Sequence, residues 1–387
     1  MKFYKVAIIA IALTLFIFTG TNVKAETLKV GVISVLSGPG AVWGLGILRG
    51  AEMATSEVND RGGLKVNGKT YKIELIAYDD KYTGKGGKSA CEKLVYRDKV
   101  KFIIGPISSA SLLAFQEMTE KEKILVLSDS YTEKALSPQK PFTLRVFMTA
   151  IEATPLLVDW VLKEYPNTKK VITIAPNDAS GHAGAKVQES TYKKHGIELA
   201  SKEFYERGTK DFSPLVTRAQ MLNPDVIAFA NAPTSDCALM VKLFRQMGSH
   251  AVFTDNTSTD FRKMVKIIGK KAAEGYIWGA FFDPADPKMK GYNERFKKRY
   301  NIEIPSYVDP AFYQAAKAFY YAIEKAQSLD PATVRDTIKY RIPEFESVMG
   351  KMVFGGKETY GIDNQVYSAY YASVIKDGKQ VILKKLR

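Results

Sequence analysis

The sequence predicts an α/β protein built from two similar lobes, and three observations lead to this prediction. Short apolar runs, typical of strands buried on both faces, alternate with segments whose apolar residues recur at helical spacing. These strand–helix units repeat about every 25–40 residues, which is typical of parallel sheets covered by helices. The alternation runs in two series, one on each side of residue 147, and a chain of 387 residues is long enough for two domains.

Residues 1–25 are set apart from the fold. Lys2 and Lys5 precede an almost wholly apolar run at 6–18, and small residues lead up to Ala25. This pattern predicts a secretory signal peptide that is cleaved after Ala25, with an apolar run too short to span a bilayer comfortably. No cysteine lies near the cleavage site. We therefore expect a diffusible periplasmic protein without a lipid anchor.

The mature chain is strongly basic, since removal of Lys2, Lys5 and Lys24 lowers the formal net charge from +15 to +12. Such a charge fits nucleic acid, a membrane surface, an anionic ligand or a scattered solvated surface. The lysines are spread out with no run of five, which favours the solvated surface, and export argues against nucleic acid. Cys91 and Cys237 form either a disulfide, which an exported protein permits, or two buried thiols.

The first series begins with a strand at 28–35, from which a glycine-rich turn leads into a helix. Gly44-x-Gly46 does not continue into a dinucleotide-binding fingerprint, because Arg49 stands where the third glycine belongs. These glycines instead predict a tight turn and a close backbone approach. The following elements are a strand at 71–78, a helix at 86–97, a strand at 102–104, a helix at 109–121, a strand at 124–127 and a crossing strand at 142–147.

The second series repeats this alternation before the pattern changes. Its members are a helix at 154–164, a strand at 170–175, a helix that ends at Gly196, a strand at 199–204, a helix at 213–222, a strand at 226–230, a helix at 237–247, and strands at 251–254 and 276–281. Helices follow at 288–300 and 310–328, and Asp330 caps a third. The tail at 350–386 alternates aromatic and polar residues, which predicts β-hairpins.

The stretch 101–111 is the main candidate for a binding element. Its apolar run stops at a Gly-Pro pair, and Ser108, Ser109 and Ser111 then open a helix. A serine-rich turn at a helix N-terminus offers hydroxyl groups and free backbone N–H groups to a carboxylate or another small anion. Ordinary N-capping by Ser108 or Ser109 is the alternative explanation of the same serines.

Ligands of open α/β sheets bind beyond the carboxyl ends of the strands. Hydroxyl groups, an amide and aromatic rings dominate there, which suits reversible binding of a small polar or amphipathic molecule. The candidate residues are Trp43, Ser108, Ser109, Ser130, Tyr131, Thr132, Ser180, Asn231, Asp255 and Phe281. His182, His195 and His250 lack metal-ligand spacing, and Gly-x-Ser-x-Gly is absent. We therefore expect a binding protein that is not an enzyme and needs no metal or cofactor.

A set of motifs occurs in a fixed order along the chain. They are Val-Gly-Val-Ile-x-x-Leu-Ser-Gly-Pro at 30–39, Gly-Ala-Glu-Met-Ala at 50–54, Glu-Val-Asn-Asp-Arg-Gly-Gly at 57–63, Ile-Gly-Pro-Ile-Ser-Ser-Ala-Ser at 104–111 and Gly-Thr-Lys-Asp-Phe-Ser at 208–213. From about residue 28 to its end, the chain thus resembles the periplasmic leucine/isoleucine/valine-binding proteins of ABC transporters.

The resemblance implies a type I periplasmic binding protein, with two Rossmann-like lobes of parallel sheets joined by a three-crossover hinge. One lobe would comprise 26–147 and 283–345, and the other 148–282 and 346–387. The lobes would close over a small amino acid or related carboxylate, and the protein would deliver it to an ABC permease in the inner membrane. We expect a monomer that binds no nucleic acid.

Carried over by position, the resemblance also implies roles for individual residues. Ser109 would bind the ligand carboxylate with its hydroxyl group and backbone N–H. Ser130 would offer its main chain and Thr132 its hydroxyl group. Trp43 stands where the family has an aromatic wall against the ligand side chain.

Two departures from the family pattern leave the ligand open. Ser180 stands where the family has an aromatic residue, and the acidic partner of a ligand ammonium falls at Thr257 or Ser258, between Asp255 and Asp260. Either Asp255 takes this role through a shifted turn or the ligand lacks an ammonium group, because an unpaired buried ammonium is costly. An aromatic acid, an amide or urea is therefore an alternative ligand, and ligand sensing by a regulatory protein is an alternative role.

Overall fold

The computed structural model describes residues 25–38, 40–256, 260–342 and 344–387. The predicted signal peptide, apart from Ala25, lies outside these residues, and so do Thr257 and Ser258. Within the described ranges, no helix combines the length and the apolar character that crossing a bilayer requires.

Strands occur along the whole described chain. They are β1 (Glu26–Ser34), β2 (Leu64–Val66), β3 (Lys69–Asp79), β4 (Phe102–Ile104), β5 (Leu125–Ser128), β6 (Thr143–Arg145), β7 (Val171–Pro176), β8 (Leu199–Tyr205), β9 (Val226–Phe229), β10 (Val252–Asp255), β11 (Ile277–Ala280), β12 (Glu344–Ser347), β13 (Gly350–Gly355), β14 (Gln365–Tyr367), β15 (Tyr371–Lys376) and β16 (Lys379–Lys385).

Helices connect most of these strands. They are α1 (Ala41–Asp60), α2 (Gly84–Glu92), α3 (Ser109–Lys121), α4 (Ala150–Glu164), α5 (Ala179–Lys194), α6 (Ser213–Met221), α7 (Thr234–Gln246), α8 (Phe261–Ala273), α9 (Pro287–Tyr300), α10 (Val308–Ala326), α11 (Pro331–Asp336) and α12 (Lys357–Tyr360). Short π-helical segments, Lys93–Arg97 and Thr337–Arg341, continue α2 and α11, and Glu133–Ala135 forms a 3₁₀ turn.

The strands form two separate sheets, which confirms the predicted α/β class with two lobes. In the first sheet the strand order is β12-β13-β14-β6-β5-β4-β1-β3-β2, and in the second it is β16-β15-β11-β10-β9-β7-β8. The strands from β3 through β1, β4 and β5 to β6 are mutually parallel, as are those from β8 through β7, β9 and β10 to β11. Buried apolar strands such as β4 and β9 form the centre of each sheet.

The chain passes between the sheets three times, between β6 and β7, between β11 and β12, and between β14 and β15. The predicted assignment of 346–387 to the second lobe is wrong for its first part, because β12, β13 and β14 join the first sheet. Gln365 pairs with Arg145 of β6, whereas Tyr371 pairs with Ala280 of β11. Hairpin alternation predicts the strands themselves but does not say which sheet edge they extend.

Helix α10 follows the last parallel strand of the second sheet along the chain, but it packs on the first lobe. It lies against α1, where a Cβ atom on Gly50 would stand 2.5 Å from the carbonyl oxygen of Asp309. The buried Asp309 carboxylate accepts a hydrogen bond from Arg49 Nε at 2.7 Å. Gly50 therefore serves the close backbone approach that the sequence predicts for the glycines after β1.

Candidate functional site

The carboxyl ends of the strands in both lobes face one another across a narrow cleft. Helix α3 of the first lobe contacts α5 of the second, so the lobes are closed. Between them lies a cavity of about 30 Å³, room for about two water molecules. The cavity is lined by Trp43, Tyr82, Ile107, Tyr131, Ser180, Asn231 and Tyr307.

The two neighbouring serines of the 101–111 stretch have different roles. Ser108 is the N-cap of α3, and its Oγ accepts a hydrogen bond from the backbone N–H of Ser111 at 3.2 Å. Ser109 Oγ instead accepts hydrogen bonds from Ser130 Oγ and from the backbone N–H of Thr132, both at 3.2 Å. Capping therefore explains Ser108 only, and Ser109 is in contact with Ser130 and Thr132, the two other residues of this lobe whose polar groups the resemblance implies for the ligand.

A chain of hydroxyl groups leads from the cavity wall to a buried acid. The hydroxyl groups of Tyr131 and Tyr307 lie 2.9 Å apart, and Tyr307 donates to Asp129 Oδ2 at 3.2 Å. Asp129 is fully buried, and its Oδ1 has no hydrogen-bond partner among the described residues. Burial raises the pKa of Asp129 well above its ordinary value, although the bond from Tyr307 and the charge of Arg145 act in the opposite direction.

Arg207 of the second lobe reaches the cleft. Its Nε donates a hydrogen bond to Asp178 Oδ2, and its Nη2 lies 3.2 Å from Ser180 Oγ. The guanidinium carbon stands 4.8 Å from the ring centroid of Tyr82 and 5.7 Å from a ring centroid of Trp43, both in the first lobe. Arg207 thus joins the two lobes by contacts between a cation and aromatic rings.

Asp178 organises the second-lobe turn. Its Oδ1 accepts hydrogen bonds from Ser180 Oγ at 2.8 Å and from the backbone N–H groups of Ser180 and Gly181 at the start of α5. Burial acts to raise the pKa of Asp178, but Arg207 and these hydrogen bonds outweigh it, so the pKa is lowered. The carboxylate therefore remains charged and holds Arg207 in place.

Asn231 completes the second-lobe wall. The residue has the left-handed φ of 54°, and its Nδ2 donates to the carbonyl oxygen of Ser180 at 2.6 Å. Its Oδ1 is buried and has no hydrogen-bond partner among the described residues. The second-lobe wall therefore contains one acceptor atom without a partner among the described residues.

The predicted site residues divide into three groups. Four of them line the cavity: Trp43, Tyr131, Ser180 and Asn231. Ser109, Ser130 and Thr132 form the buried turn beside Tyr131. The remaining three lie outside the cavity lining: Ser108, Asp255 and Phe281.

Phe281 and Asp255 lie next to residues that line the cavity or pack against them. Phe281 packs its ring against Phe147, Tyr307 and Tyr370, with centroid distances of 4.2, 5.0 and 5.0 Å. Asp255 is buried at the end of β10, and after burial itself its charge is the main cause that raises the pKa of Tyr370. Both residues therefore adjoin the floor of the cleft.

Four contributors to the site are absent from the predicted set: Tyr82, Ile107, Arg207 and Tyr307. Arg207 follows the end of β8 and directly precedes the Gly-Thr-Lys-Asp-Phe-Ser motif, so its position after a strand was a usable signal. Tyr307 is the N-cap of α10 and therefore stands at the start of a helix, not directly after a strand. No strand-end rule points to it.

The chain is similar to known solute-binding proteins over most of its length. The family model described as periplasmic binding protein matches residues 27–380. A leucine-, isoleucine-, valine-, threonine- and alanine-binding protein of Pseudomonas aeruginosa is 26% identical over 344 residues, 88% of this chain and 89% of that protein. A Leu/Ile/Val-binding protein of Rhizobium johnstonii is 26% identical over 348 residues, 89% of this chain and 91% of that protein.

Solved structures share the fold. The branched-chain amino acid transporter substrate-binding protein of Streptococcus pneumoniae, in complex with isoleucine, has a TM-score of 0.79 at 21% identity and covers 93% of this chain and 100% of its own. A solute-binding protein of R. palustris in complex with benzoate has a TM-score of 0.79 at 17% identity and covers 93% and 96%. Together with the family match and the two-lobed fold, these findings show that this chain belongs to the periplasmic binding protein family.

Proposed function

We propose that this protein is the extracytoplasmic solute-binding component of an ABC transporter of the branched-chain amino-acid type. In this proposal it traps a small amino acid or related carboxylate between its lobes by hinge closure and delivers it to a permease in the inner membrane. The observation that carries the proposal is the cleft between the lobes, because turns that follow strands of both lobes supply its lining. The closed cavity of about 30 Å³ is smaller than an amino acid, so the lobes must part to admit one. The relatives named above are binding proteins, and the proposed role requires no chemical reaction.

The serine turn is the proposed receptor for the ligand carboxylate. Ser109 is the first residue of α3, where backbone N–H groups point outward and the helix dipole favours an anion. Ser109 Oγ accepts from the backbone N–H of Thr132 and from Ser130 Oγ, so its own O–H can donate to a carboxylate close to this helix end. Each hydrogen bond to a charged group contributes about 1.5–3 kcal/mol, so three or four reach micromolar affinity, about −8 kcal/mol.

The aromatic walls are the proposed contact for the rest of the ligand. Trp43 and Tyr82 stand on one side of the cavity, with Tyr131 and Tyr307 also in its lining. These rings suit an apolar side chain and equally a flat aromatic acid. An aromatic carboxylic acid is therefore the second candidate ligand, because all four rings belong to the cavity lining.

An ammonium group on the ligand would need an acid near the cleft. Asp129 is linked to the wall through Tyr307 and Tyr131, and Asp255 lies close enough to contribute to the raised pKa of Tyr131. We propose that one of these carboxyl groups balances the ammonium of an amino-acid ligand. A ligand without an ammonium group would leave Asp129 protonated, in keeping with its raised pKa.

Isothermal titration calorimetry tests the proposal, with leucine, isoleucine, valine, benzoate, short amides and urea as probes. We expect at least one carboxylate to bind with micromolar affinity. The double variant Ser109→Ala with Thr132→Val should weaken that binding about a hundredfold or more, because it removes two hydroxyl groups from the turn.

The matched control is Ser190→Ala with Thr217→Val, which removes the same groups from exposed positions on α5 and α6. This control should bind like the unmodified protein. Unchanged affinity in the Ser109 and Thr132 variant, or binding of amides and urea alone, would refute the proposed site.

A further inference from the structure

The hydrogen-bonding capacity of Arg207 is only partly used. A guanidinium group has five N–H donors. Nε donates to Asp178, and Nη2 faces Ser180 Oγ at 3.2 Å and the carbonyl oxygen of Asn231 at 3.5 Å. Nη1 is buried without a hydrogen-bond partner among the described residues. Leaving buried donors unpaired is costly, so this side of Arg207 is suited to an incoming acceptor.

An unused acceptor lies on the same wall. Asn231 is only 7% exposed and belongs to the cavity lining. Its Nδ2 is committed to the carbonyl oxygen of Ser180, which fixes the amide orientation and leaves Oδ1 unpaired within the described chain. Arg207 Nη2 lies 3.5 Å from the backbone carbonyl oxygen of Asn231, so the two residues that carry the unpaired atoms are neighbours.

The local charge is already balanced. Asp178 and Arg207 form an ion pair whose side chains are 26% and 18% exposed. A second carboxylate on the ligand could accept from Arg207 but could not donate to Asn231, and it would add a charge beside Asp178. A methyl group would leave both protein groups unpaired. A hydroxyl or carboxamide group both donates and accepts, so it can satisfy the two together.

Building on the proposed solute-binding function, we propose that Arg207 and Asn231 form a polar subsite of the second lobe. This subsite selects ligands that carry a hydroxyl or carboxamide group at the end opposite the carboxylate. The serine at position 180 makes room for the subsite, since its side chain turns back to Asp178 and leaves Arg207 beside the first-lobe rings.

Isosteric ligand pairs test the subsite on the unmodified protein. The pairs are valine with threonine, leucine with asparagine, and 4-methylbenzoate with 4-hydroxybenzoate, each measured by calorimetry. A site built to bind a hydroxyl or amide group discriminates strongly against an apolar isostere. We expect the polar member of at least one pair to bind tenfold or more tightly than its apolar partner.

Variants assign the preference to the two residues. Asn231→Leu, which keeps the size of the side chain, should reduce the preference to less than threefold, and Arg207→Lys should reduce it while keeping a cation beside Asp178. Arg218→Gln removes an exposed second-lobe arginine that pairs with Glu203, and it should leave the preference unchanged.

The outcomes separate this inference from the proposed function. Tighter binding of the apolar members, or equal affinities within every pair, would overturn the subsite while leaving solute binding intact. A preference that survives Asn231→Leu would also overturn it. If no carboxylate binds at all, the proposed function fails and the subsite fails with it.

Discussion

Asp129 places an ionisable carboxyl group one tyrosine, Tyr307, away from the cavity. Because burial raises its pKa, the folded state binds a proton more strongly than the unfolded chain, where an aspartate has a pKa of about 3.9. Its contribution to stability is therefore fully present at low pH and is lost as pH rises through the folded-state pKa. The folded protein is therefore most stable when Asp129 is neutral.

Replacement of Asp129 by Asn tests this direction. The free energy of unfolding of Asp129→Asn, relative to the unmodified protein, should increase as pH rises from 4 to 7, because the variant has no charge to bury. Urea unfolding at several pH values measures this difference. Parallel pH profiles for the two proteins would contradict the raised pKa of Asp129.

Residue types and their positions after strands predicted Trp43 and the serine turn, because strand ends of parallel sheets converge. The position of Arg207 after β8 makes it a candidate, but it does not predict its contacts. Its position depends on an ion pair with Asp178 and on rings of the other lobe, and such contacts between distant segments leave no local pattern. The sequence likewise does not say which serine caps the helix and which contacts Thr132, because this depends on the geometry of the turn.

At the level of elements, the same strand-to-helix turn occurs in both lobes. A Cβ atom on Gly44 would stand 1.9 Å from the carbonyl oxygen of Val35, and one on Gly181 would stand 1.9 Å from that of Pro176. In each lobe a glycine therefore lets the first turn of the helix approach the end of its strand. The residue directly before each glycine, Trp43 or Ser180, lines the cavity.

Gly181→Ala should destabilise the protein by about 1–3 kcal/mol, because the new methyl group meets fixed backbone. It should also weaken ligand binding, since Ser180 would be displaced. The matched control is Gly291→Ala in the interior of α9, where the nearest atom to a new Cβ, a side-chain nitrogen of Arg295, is 3.7 Å away. This control should stabilise the protein by about 0.5–1 kcal/mol in urea unfolding. Equal stabilities of the two variants would contradict the close approach.

Local sequence was sufficient for elements with strong internal signals. The predicted bounds of β4 and α3 match the structure, because an apolar run, a stop and an N-cap all fall within one short stretch. The predicted lobe is wrong for the first part of the tail, because alternation predicts a hairpin but not the strand with which it pairs. Pairing of Gln365 with Arg145 joins residues far apart in sequence.

At the scale of the whole molecule, contacts between the lobes hold the cleft closed. Lys186 of α5 lies 2.6 Å from Glu133 of the first lobe, but both side chains are exposed, so this ion pair contributes little. The contacts of Arg207 with Tyr82 and Trp43 are more sheltered. An exposed ion pair and contacts between a cation and aromatic rings fit a hinge whose closure a ligand must stabilise.

The distance between the lobes in solution can be measured with two spin labels. Cys91 and Cys237 are unpaired and buried, and burial raises the pKa of the Cys91 thiol to about 12, so they should resist labelling. Labels on Glu117→Cys of α3 and Ser190→Cys of α5 would occupy exposed positions on the two lobes.

Pulsed electron–electron double resonance between these labels tests most directly whether the lobes trap a ligand. The distance is measured with and without the carboxylate that calorimetry identifies. Saturating ligand should shorten and narrow the distance distribution, and the change should disappear when Ser109→Ala and Thr132→Val are added. A distribution that saturating ligand leaves unchanged would contradict ligand capture between the lobes.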